Sequence, residues 1–392
     1  MTEMIYVSAV GMINALGKDN DEVALNLVRG VAPGMRARSG WLQAHPHAVL
    51  AGVEGALPAI PDAFSAHRSR NNRLLLAALA QIQPDVDQAI AQYGRDRVAI
   101  VLGTSTSGLD EGDMHVRLSL NQQSSTAWRY PQQELGDPSR FLSHWLALDG
   151  PAFTLSTACS SSARAMISGR RLIEAGLADV AIVGGADTLS RMPVNGFHSL
   201  ESLSPTLCQP FARDRSGITI GEGAALMLLT REPQPIVLLG VGESSDAYHI
   251  SAPHPEGEGA IRAIHQALNE AGIAPEAVGY INLHGTATTL NDQIESSVVN
   301  ALFGEQVPCS STKHLTGHTL GAAGITEAAL SMLILQRNLP LPPQDFSLSP
   351  RDADLPPCGI IDRPQPLARP VILSNSFAFG GNNASILLGK IL

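Results

Sequence analysis

Leu155-Ser156-Thr157-Ala158-Cys159-Ser160-Ser161-Ser162-Ala163 is the stretch from which both fold class and chemistry can be read. The apolar run Pro151–Leu155 enters small hydroxylated residues, and a helix-compatible run then extends from about Ser160 to Ala175. A strand, a tight turn and a helix in that order are the unit of an α/β protein. Cys159 falls near the helix start, where the dipole and free N–H groups stabilise a thiolate. Its small neighbours leave room for a substrate carbonyl, and its own N–H can face a developing oxyanion. An isolated cysteine is more often a buried structural residue, so this segment alone leaves both readings open.

The same alternation runs outward from that point. Ile5–Val10, Val98–Leu102, Ala178–Gly184 and Ala224–Leu229 read as strands, and Asp21–Arg29 and Arg73–Gln83 as helices, the second ended or kinked by Pro84. Composition breaks at Arg231-Glu232-Pro233-Gln234-Pro235. A second set then follows: strand Ile236–Gly240, helix Gly259–Gly272, strand Val278–Leu283, helices Asp292–Phe303 and Ala322–Arg337, and a terminal strand pair at Ile372–Asn375 and Ala384–Gly389. The expectation is an α/β chain with buried, largely parallel strands, divided into halves at 1–232 and 233–392. Similar content in the two halves suggests structural duplication, although no sequence repeat is evident. Pro340–Pro343 and Pro356–Pro370 read as surface loops.

Composition narrows the function. The 392 residues are 44% hydrophobic and 16% charged, enough for a large core. With 36 acidic against 26 basic residues the formal charge is −10, which argues against a general nucleic-acid binder. The four cysteines, Cys159, Cys208, Cys309 and Cys358, are scattered and form no CxxC pair, as expected of reduced thiols in a cytoplasmic protein. No secretory signal is visible at Met1–Val7, and no apolar run approaches the roughly 18–20 residues of a membrane span.

Two further loops carry chemistry. Leu283-His284-Gly285-Thr286-Ala287-Thr288 follows a strand, and Lys313-His314-Leu315-Thr316-Gly317-His318-Thr319-Leu320-Gly321-Ala322-Ala323-Gly324 runs into a helix. Each surrounds a histidine with Gly and Thr, which permit close approach of a ligand to the backbone. A lone loop histidine is usually solvated or structural. Two of them beside a poised cysteine form a Cys–His–His set suited to acyl transfer. His314 and His318 have the i, i+4 spacing of a zinc pair, but Gly317 and the lack of nearby Cys or carboxylate ligands argue against a metal site.

These motifs, with Thr157-Ala158-Cys159-Ser160-Ser161 and Asn375-Ser376-Phe377-Ala378-Phe379-Gly380-Gly381, occur in the order found in the elongating β-ketoacyl-acyl carrier protein synthases, which the whole chain resembles. Its two histidines resemble the elongating class, not the initiating class, which pairs histidine with asparagine. The resemblance implies a thiolase fold, two duplicated βαβαβαββ-type halves in a layered α-β-α-β-α core, usually dimeric. It implies that Cys159 accepts an acyl group from a carrier-protein phosphopantetheine. His284 and His318 would promote malonyl decarboxylation, and Lys313 with Glu327 would supply a supporting ionic pair. The backbone N–H groups of Cys159 and Phe379 would form the oxyanion hole. Thr286 and Thr288 would contact the pantetheine arm, and Asp292 would be a structural acid. No cofactor is implied beyond the carrier's own phosphopantetheine.

Departures from the family pattern concern the gate and the docking surface. Ala378 stands where the gating loop usually has glycine, implying a more restricted hinge, and Asn382 replaces the usual threonine, implying an added hydrogen bond to the loop. His67-Arg68-Ser69-Arg70 and Arg73 resemble a basic patch that meets an acidic carrier helix, or form a plain solvated face. Glu201 stands where fatty acid synthases commonly have arginine. Phe197 lines the acyl pocket or is an ordinary core aromatic, and Thr104–Gly108 borders the same pocket. The short loops and departures resemble bacterial aryl polyene or type II polyketide ketosynthases more than housekeeping enzymes, which implies a homodimer or a heterodimer with a chain-length-factor-like partner. The competing readings are the non-condensing partner itself, which the presence of Cys159, His284 and His318 opposes, and a degradative thiolase, which needs a second catalytic cysteine. A cysteine hydrolase is the remaining alternative.

Overall fold

Strand β1 (Ile5–Ile13) is buried along almost its whole length and reads apolar without alternation, the pattern of a strand covered on both faces. It opens the computed structural model, which describes residues 4–43, 45–123 and 128–391. Next come α1 (Asn20–Arg29), a hairpin of β2 (Met35–Ser39) and β3 (His47–Ala51), α2 (Arg70–Ala80), α3 (Gln83–Tyr93), β4 (Val98–Gly103), α4 (Leu109–Leu120), α5 (Asp137–Leu146), β5 (Ala152–Leu155), α6 (Ser161–Glu174), β6 (Val180–Asp187), α7 (Arg191–Ser199) and β7 (Gly223–Thr230). The remainder holds β8 (Ile236–Ser245), α8 (Glu258–Ala271), β9 (Tyr280–Asn282), α9 (Thr289–Phe303), β10 (Cys309–Ser310), α10 (Lys313–Thr316), α11 (Ala323–Arg337), β11 (Val371–Phe377) and β12 (Asn382–Lys390).

The strands lie in the order β10-β9-β11-β12-β8-β1-β7-β6-β4-β5. Taken by chain order within each half, the pattern third-second-fourth-fifth-first appears twice, once outward from β1 and once outward from β8. The pairing senses match too. The ladders β5-β4-β6 and β10-β9-β11 are parallel, while β6-β7-β1 and β11-β12-β8 are antiparallel. This is the duplication that sequence content suggested. The halves join through a short antiparallel ladder of Ile5 to Val7 with Leu238 to Ile236.

The expectation of largely parallel strands needs correcting, since most of the ladders are antiparallel. Four residues separate Phe377 from Asn382, too few for the crossover that a parallel pair requires. Pro84 also acts differently than expected. The helix before it ends at Ala80, and Pro84 lies in the first turn of α3, where its missing N–H costs nothing.

Helices α6 and α11 pack in one core cluster with the inner faces of both half-sheets, and Ala323–Leu335 of α11 is buried on every side. A helix apolar all round belongs to an interior layer. A second cluster packs α2, α3 and α5 against the outer face of the first half, and a third packs α8 and α9 against the second. The result is the layered α-β-α-β-α thiolase fold. Its duplication brings equivalent connections face to face: the β5–α6 turn carries Cys159, and the segment leading from β10 to α11 carries His318.

This approach depends on missing side chains. A Cβ on Gly103 would lie 2.3 Å from the Ser162 nitrogen, and one on Gly324 would lie 2.7 Å from the Ala163 Cβ. The Gly103→Ala substitution must therefore displace the start of α6. We expect a loss of about 1–3 kcal/mol or more, read as a lower denaturant midpoint, with slower alkylation or acylation of Cys159. An unchanged midpoint and unchanged Cys159 reactivity would show that the turn does not depend on this contact.

Candidate active site

Cys159 follows β5 and precedes α6 by two residues. The preceding Ala158 has φ +52°, a left-handed conformation costly for a non-glycine residue and held here by hydroxyls. Ser160 Oγ donates to the Thr157 carbonyl at 2.8 Å, Ser161 Oγ donates to the Ala158 carbonyl at 2.5 Å, and Thr157 N donates to Ser161 Oγ at 2.9 Å. The serines around the cysteine thus build the turn that projects it. Cys159 itself is buried, and the backbone N–H groups of Phe379 and Cys159 favour its thiolate.

The sulfur and one ring nitrogen from each of His284 and His318 all lie within 4.8 Å of one another. The two rings are perpendicular, with centroids 5.5 Å apart. Their tautomers are set from behind. Leu320 N donates to His318 Nδ1 at 3.1 Å, and Lys313 Nζ lies 3.4 Å from His284 Nδ1 while donating to the His284 carbonyl at 2.5 Å. With both Nδ1 atoms accepting, each Nε2 carries the hydrogen and is left as a donor. His314 lies elsewhere, lining a separate cavity with Gln344 and Asp345, so the i, i+4 spacing does not make a metal pair. The Cys–His–His atoms are of zinc-ligand type. However, the Lys313 cation beside His284 opposes a dication there.

Lys313 Nζ also pairs with Glu327 Oε1, both side chains being buried. Burial drives His284 and His318 well below the ordinary imidazole range, and the Lys313 cation adds to the effect. Burial pushes the Cys159 thiol up to about 11, opposed by Lys313 and by the two N–H groups. Glu327 is raised to about 6 by burial against the pull of Lys313. The resting site therefore holds a protonated thiol, two neutral imidazoles and one internal ion pair. Neutral donors in a water-poor site suit stabilisation of a developing oxyanion or enolate.

Sequence reasoning missed Glu295. Its two oxygens accept from His284 N and Gly285 N, each at 2.7 Å, and thereby fix the backbone beneath the imidazole, while burial raises its carboxyl to about 8. The available signal was an acid eleven residues after His284 on a helix that starts in the same loop. Asp292 takes the structural role expected of it. It accepts from Phe211 N at 2.7 Å and Ala287 N at 3.1 Å, two residues with positive φ.

Thr288 lines an open groove of about 480 Å³ together with Phe379, Glu201, Ser202 and Asn291. Thr286 sits behind it, buried, with its hydroxyl 2.9 Å from that of Thr288. Only Thr288 of the two lines the groove. The Phe197 and Phe379 rings pack at 5.7 Å between centroids, joining α7 to the turn after β11.

That turn corrects two expectations. Ala378 has φ −91°, extended backbone that alanine adopts without cost, and the left-handed residues are Gly380 and Gly381 at +80° and +73°. The Asn382 side chain accepts from Arg164 at 3.2 Å; Asn383, one residue later, is the one that donates to the Gly381 carbonyl at 3.2 Å and to Asp246 Oδ1 at 2.7 Å. A Cβ on Gly381 would lie 2.7 Å from the Asp246 Cβ. Gly381→Ala should therefore shift Phe379 and slow acyl loading by about 10-fold or more, whereas Ala378→Gly should leave loading within about 2-fold. Intact-mass time courses test both.

Of the arginines expected to form a docking patch, Arg70 is committed internally. Arg70 makes two hydrogen bonds to buried Glu222, which also accepts from Val53 N and Leu189 N. Arg73 donates to the carbonyls of Leu57 and Pro58. Arg68 pairs with Asp62 and donates to the Ile60 carbonyl. Arg68 and Arg73 stay at least partly exposed, Arg68 beside the exposed Asp62, so only Arg70 has its charge matched by a buried carboxylate.

Residues 2–234 match the model described as β-ketoacyl synthase, N-terminal domain, and residues 236–346 the corresponding C-terminal domain. Among curated proteins, the 3-oxoacyl-[acyl-carrier-protein] synthase 2 of Coxiella burnetii is 26% identical over 99% of this chain and 98% of its own length. Among solved structures, the ketosynthase ApeO of Xenorhabdus doucetiae, in complex with its chain length factor ApeC, is 67% identical, with a TM-score of 0.98 over 99% of this chain and 98% of that one. The ishigamide ketosynthase/chain length factor is 25% identical with a TM-score of 0.89 over the full length of both. With the Cys159 sulfur in the first matched segment and both imidazoles and the internal ion pair in the second, the chain belongs to the β-ketoacyl synthase family.

Proposed function

We propose that this chain catalyses decarboxylative condensation of a Cys159-bound acyl group with a malonyl unit on an acyl carrier protein. The observation that carries it is the convergence of one sulfur and two imidazole nitrogens, contributed by opposite halves, within 4.8 Å. In the first step the Cys159 sulfur adds to the thioester carbonyl, its proton passing to the departing carrier thiol. The Cys159 and Phe379 N–H groups stabilise the intervening oxyanion. In the second, the malonyl thioester carbonyl accepts from His284 and His318. Loss of carbon dioxide leaves an enolate whose charge these donors hold, and its carbon attacks the Cys159 thioester. Collapse yields a β-ketoacyl carrier and the Cys159 thiolate, which a solvent proton restores. All reacting groups come from the chain and from the carrier's phosphopantetheine, so no further cofactor is invoked.

The partners we propose are an acyl carrier protein, entering by the groove at Thr288 and Phe379, and a second ketosynthase-like subunit. The solved relative in complex with its chain length factor supports a heterodimer over a homodimer. The exposed Met114, Val116 and Leu120 on α4 and, separately, the sheet edge at β5, which has no further strand among the described residues, support an additional subunit in either form. An aryl polyene or type II polyketide pathway fits the same relatives. Among the described residues no helix is long and apolar enough to cross a membrane, and we place the reaction in the cytoplasm. The test is intact-mass analysis of carrier-bound products after co-purification of the chain with its partner. A β-ketoacyl carrier with matching carbon dioxide release supports the reading; hydrolysis of the acyl carrier without condensation overturns it.

A further inference from the structure

Asp187 closes β6 with no solvent exposure, and its carboxylate takes donors from both halves. Oδ1 accepts from Ser105 N at 2.8 Å, Thr106 N at 2.7 Å, Thr106 Oγ1 at 2.7 Å and Thr104 Oγ1 at 2.9 Å, all in the loop after β4. Oδ2 accepts from Ala322 N at 3.0 Å, in the turn that connects His318 to α11. Within that turn Leu320 N donates to His318 Nδ1. Leu320 has φ +52°, a conformation that a leucine holds only when its surroundings impose it. Gly321 lets the turn settle on the carboxylate, because a Cβ there would lie 2.9 Å from Asp187 Oδ2 and 2.9 Å from Ser105 N. The His318 backbone is tied to the same half, donating to the Thr219 carbonyl at 2.7 Å and accepting from Gly221 N at 2.9 Å.

We propose that Asp187 is a positioning residue for His318, holding the Leu320–Ala322 turn so that the Leu320 N–H fixes the imidazole as its Nε2–H tautomer. This rests on the reading of His318 as a donor to the malonyl thioester. A ring freed from Leu320 can carry its hydrogen on Nδ1 instead. Nε2 then becomes an acceptor, which repels an enolate oxygen where a donor would stabilise it. The route is geometric: the charges acting on His318 come from Lys313, and burial does the rest, with no direct contribution from Asp187.

Asp187→Asn tests this selectively. The amide oxygen can still serve the Ser105–Thr106 loop, but its NH₂ then faces the Ala322 N–H, donor against donor, and leaves that N–H only its bond to the Thr319 carbonyl at 3.0 Å. We expect malonyl-carrier decarboxylation to lose about 10- to 100-fold in kcat with little change in KM, while acyl loading of Cys159 stays within about 2-fold. Nitrogen-15 spectra of the histidine rings, with His318 assigned by the His318→Gln spectrum, should show a single Nε2–H tautomer in the parent and a mixture in the variant. Gly321→Ala, which wedges the turn off the carboxylate, should give the same spectral change if Asp187→Asn does not fold. A His318 ring that keeps its Nε2–H tautomer in a folded variant overturns the proposal, as does loading that falls in step with decarboxylation. Failure of the functional reading is distinct: decarboxylation would then survive His318→Gln itself.

Discussion

A Cys159→Ala enzyme should show no acyl adduct by intact mass, and condensation should fall by on the order of 10⁴-fold or more, while decarboxylation of malonyl carrier continues. The separation follows from how the site is held. His318 is oriented by Leu320 N and His284 by Lys313 and Glu295, and none of these contacts passes through the sulfur. Alanine fills most of the volume of a buried cysteine, and the serine hydroxyls that shape the turn bond backbone atoms and the Thr157 hydroxyl, not the sulfur. The donors that face the malonyl thioester should thus stand unchanged beside an absent nucleophile. Carbon dioxide release and carrier mass, followed in one reaction, check both halves of the expectation. Retained condensation would sink the assignment of Cys159. A collapse of decarboxylation in a folded variant would sink the claim that the two histidines work independently of it.

Much of this site is legible in the sequence because its parts are local. The strand, hydroxylated turn and helix around Cys159 lie within one short stretch, and each histidine sits in a glycine-containing loop next to a regular element. What the sequence hides is set by partners distant in the chain. Arg70 reads as a free cation because Glu222, which engages it, is 152 residues away. The role of Asp187 depends on Ala322, 135 residues on. Strand β10 is two residues long, too short for any period to register. Ala378 reads as a restricted hinge from its place in a glycine-rich motif, but conformation is set residue by residue, and the positive φ falls on Gly380 and Gly381. The duplicated strand order is not readable either, since equal topology needs no equal sequence.

Lys313→Ala and Glu327→Gln should move the Cys159 thiol in opposite directions, although they remove partners of one ion pair. The Lys313 cation lowers the thiol, whereas the Glu327 carboxylate raises it. Without Lys313 the thiol, already held near 11 by burial, rises further. The His284 Nδ1 loses its donor, and Glu327 is left buried with neither oxygen satisfied, since its Oε2 has no hydrogen-bond partner among the described residues. Breaking a buried pair in this way costs about 3–5 kcal/mol, and condensation should fall about 10²- to 10⁴-fold through the loss of an ordered donor and a harder thiolate. Glu327→Gln keeps an oxygen for Lys313, removes the negative charge, and should lower the thiol with a smaller stability loss. Iodoacetamide alkylation of Cys159 followed from about pH 7 to 10.5, on the rising limb below the raised thiol, reads both shifts as changed rates at a given pH, because the rate follows the thiolate fraction. The double variant Lys313→Met, Glu327→Leu should recover stability, because two apolar side chains need no partner, yet leave condensation as low as in Lys313→Ala. Rates changed in the same direction by the two single variants would show that the ion pair acts on the sulfur by shape and not by charge.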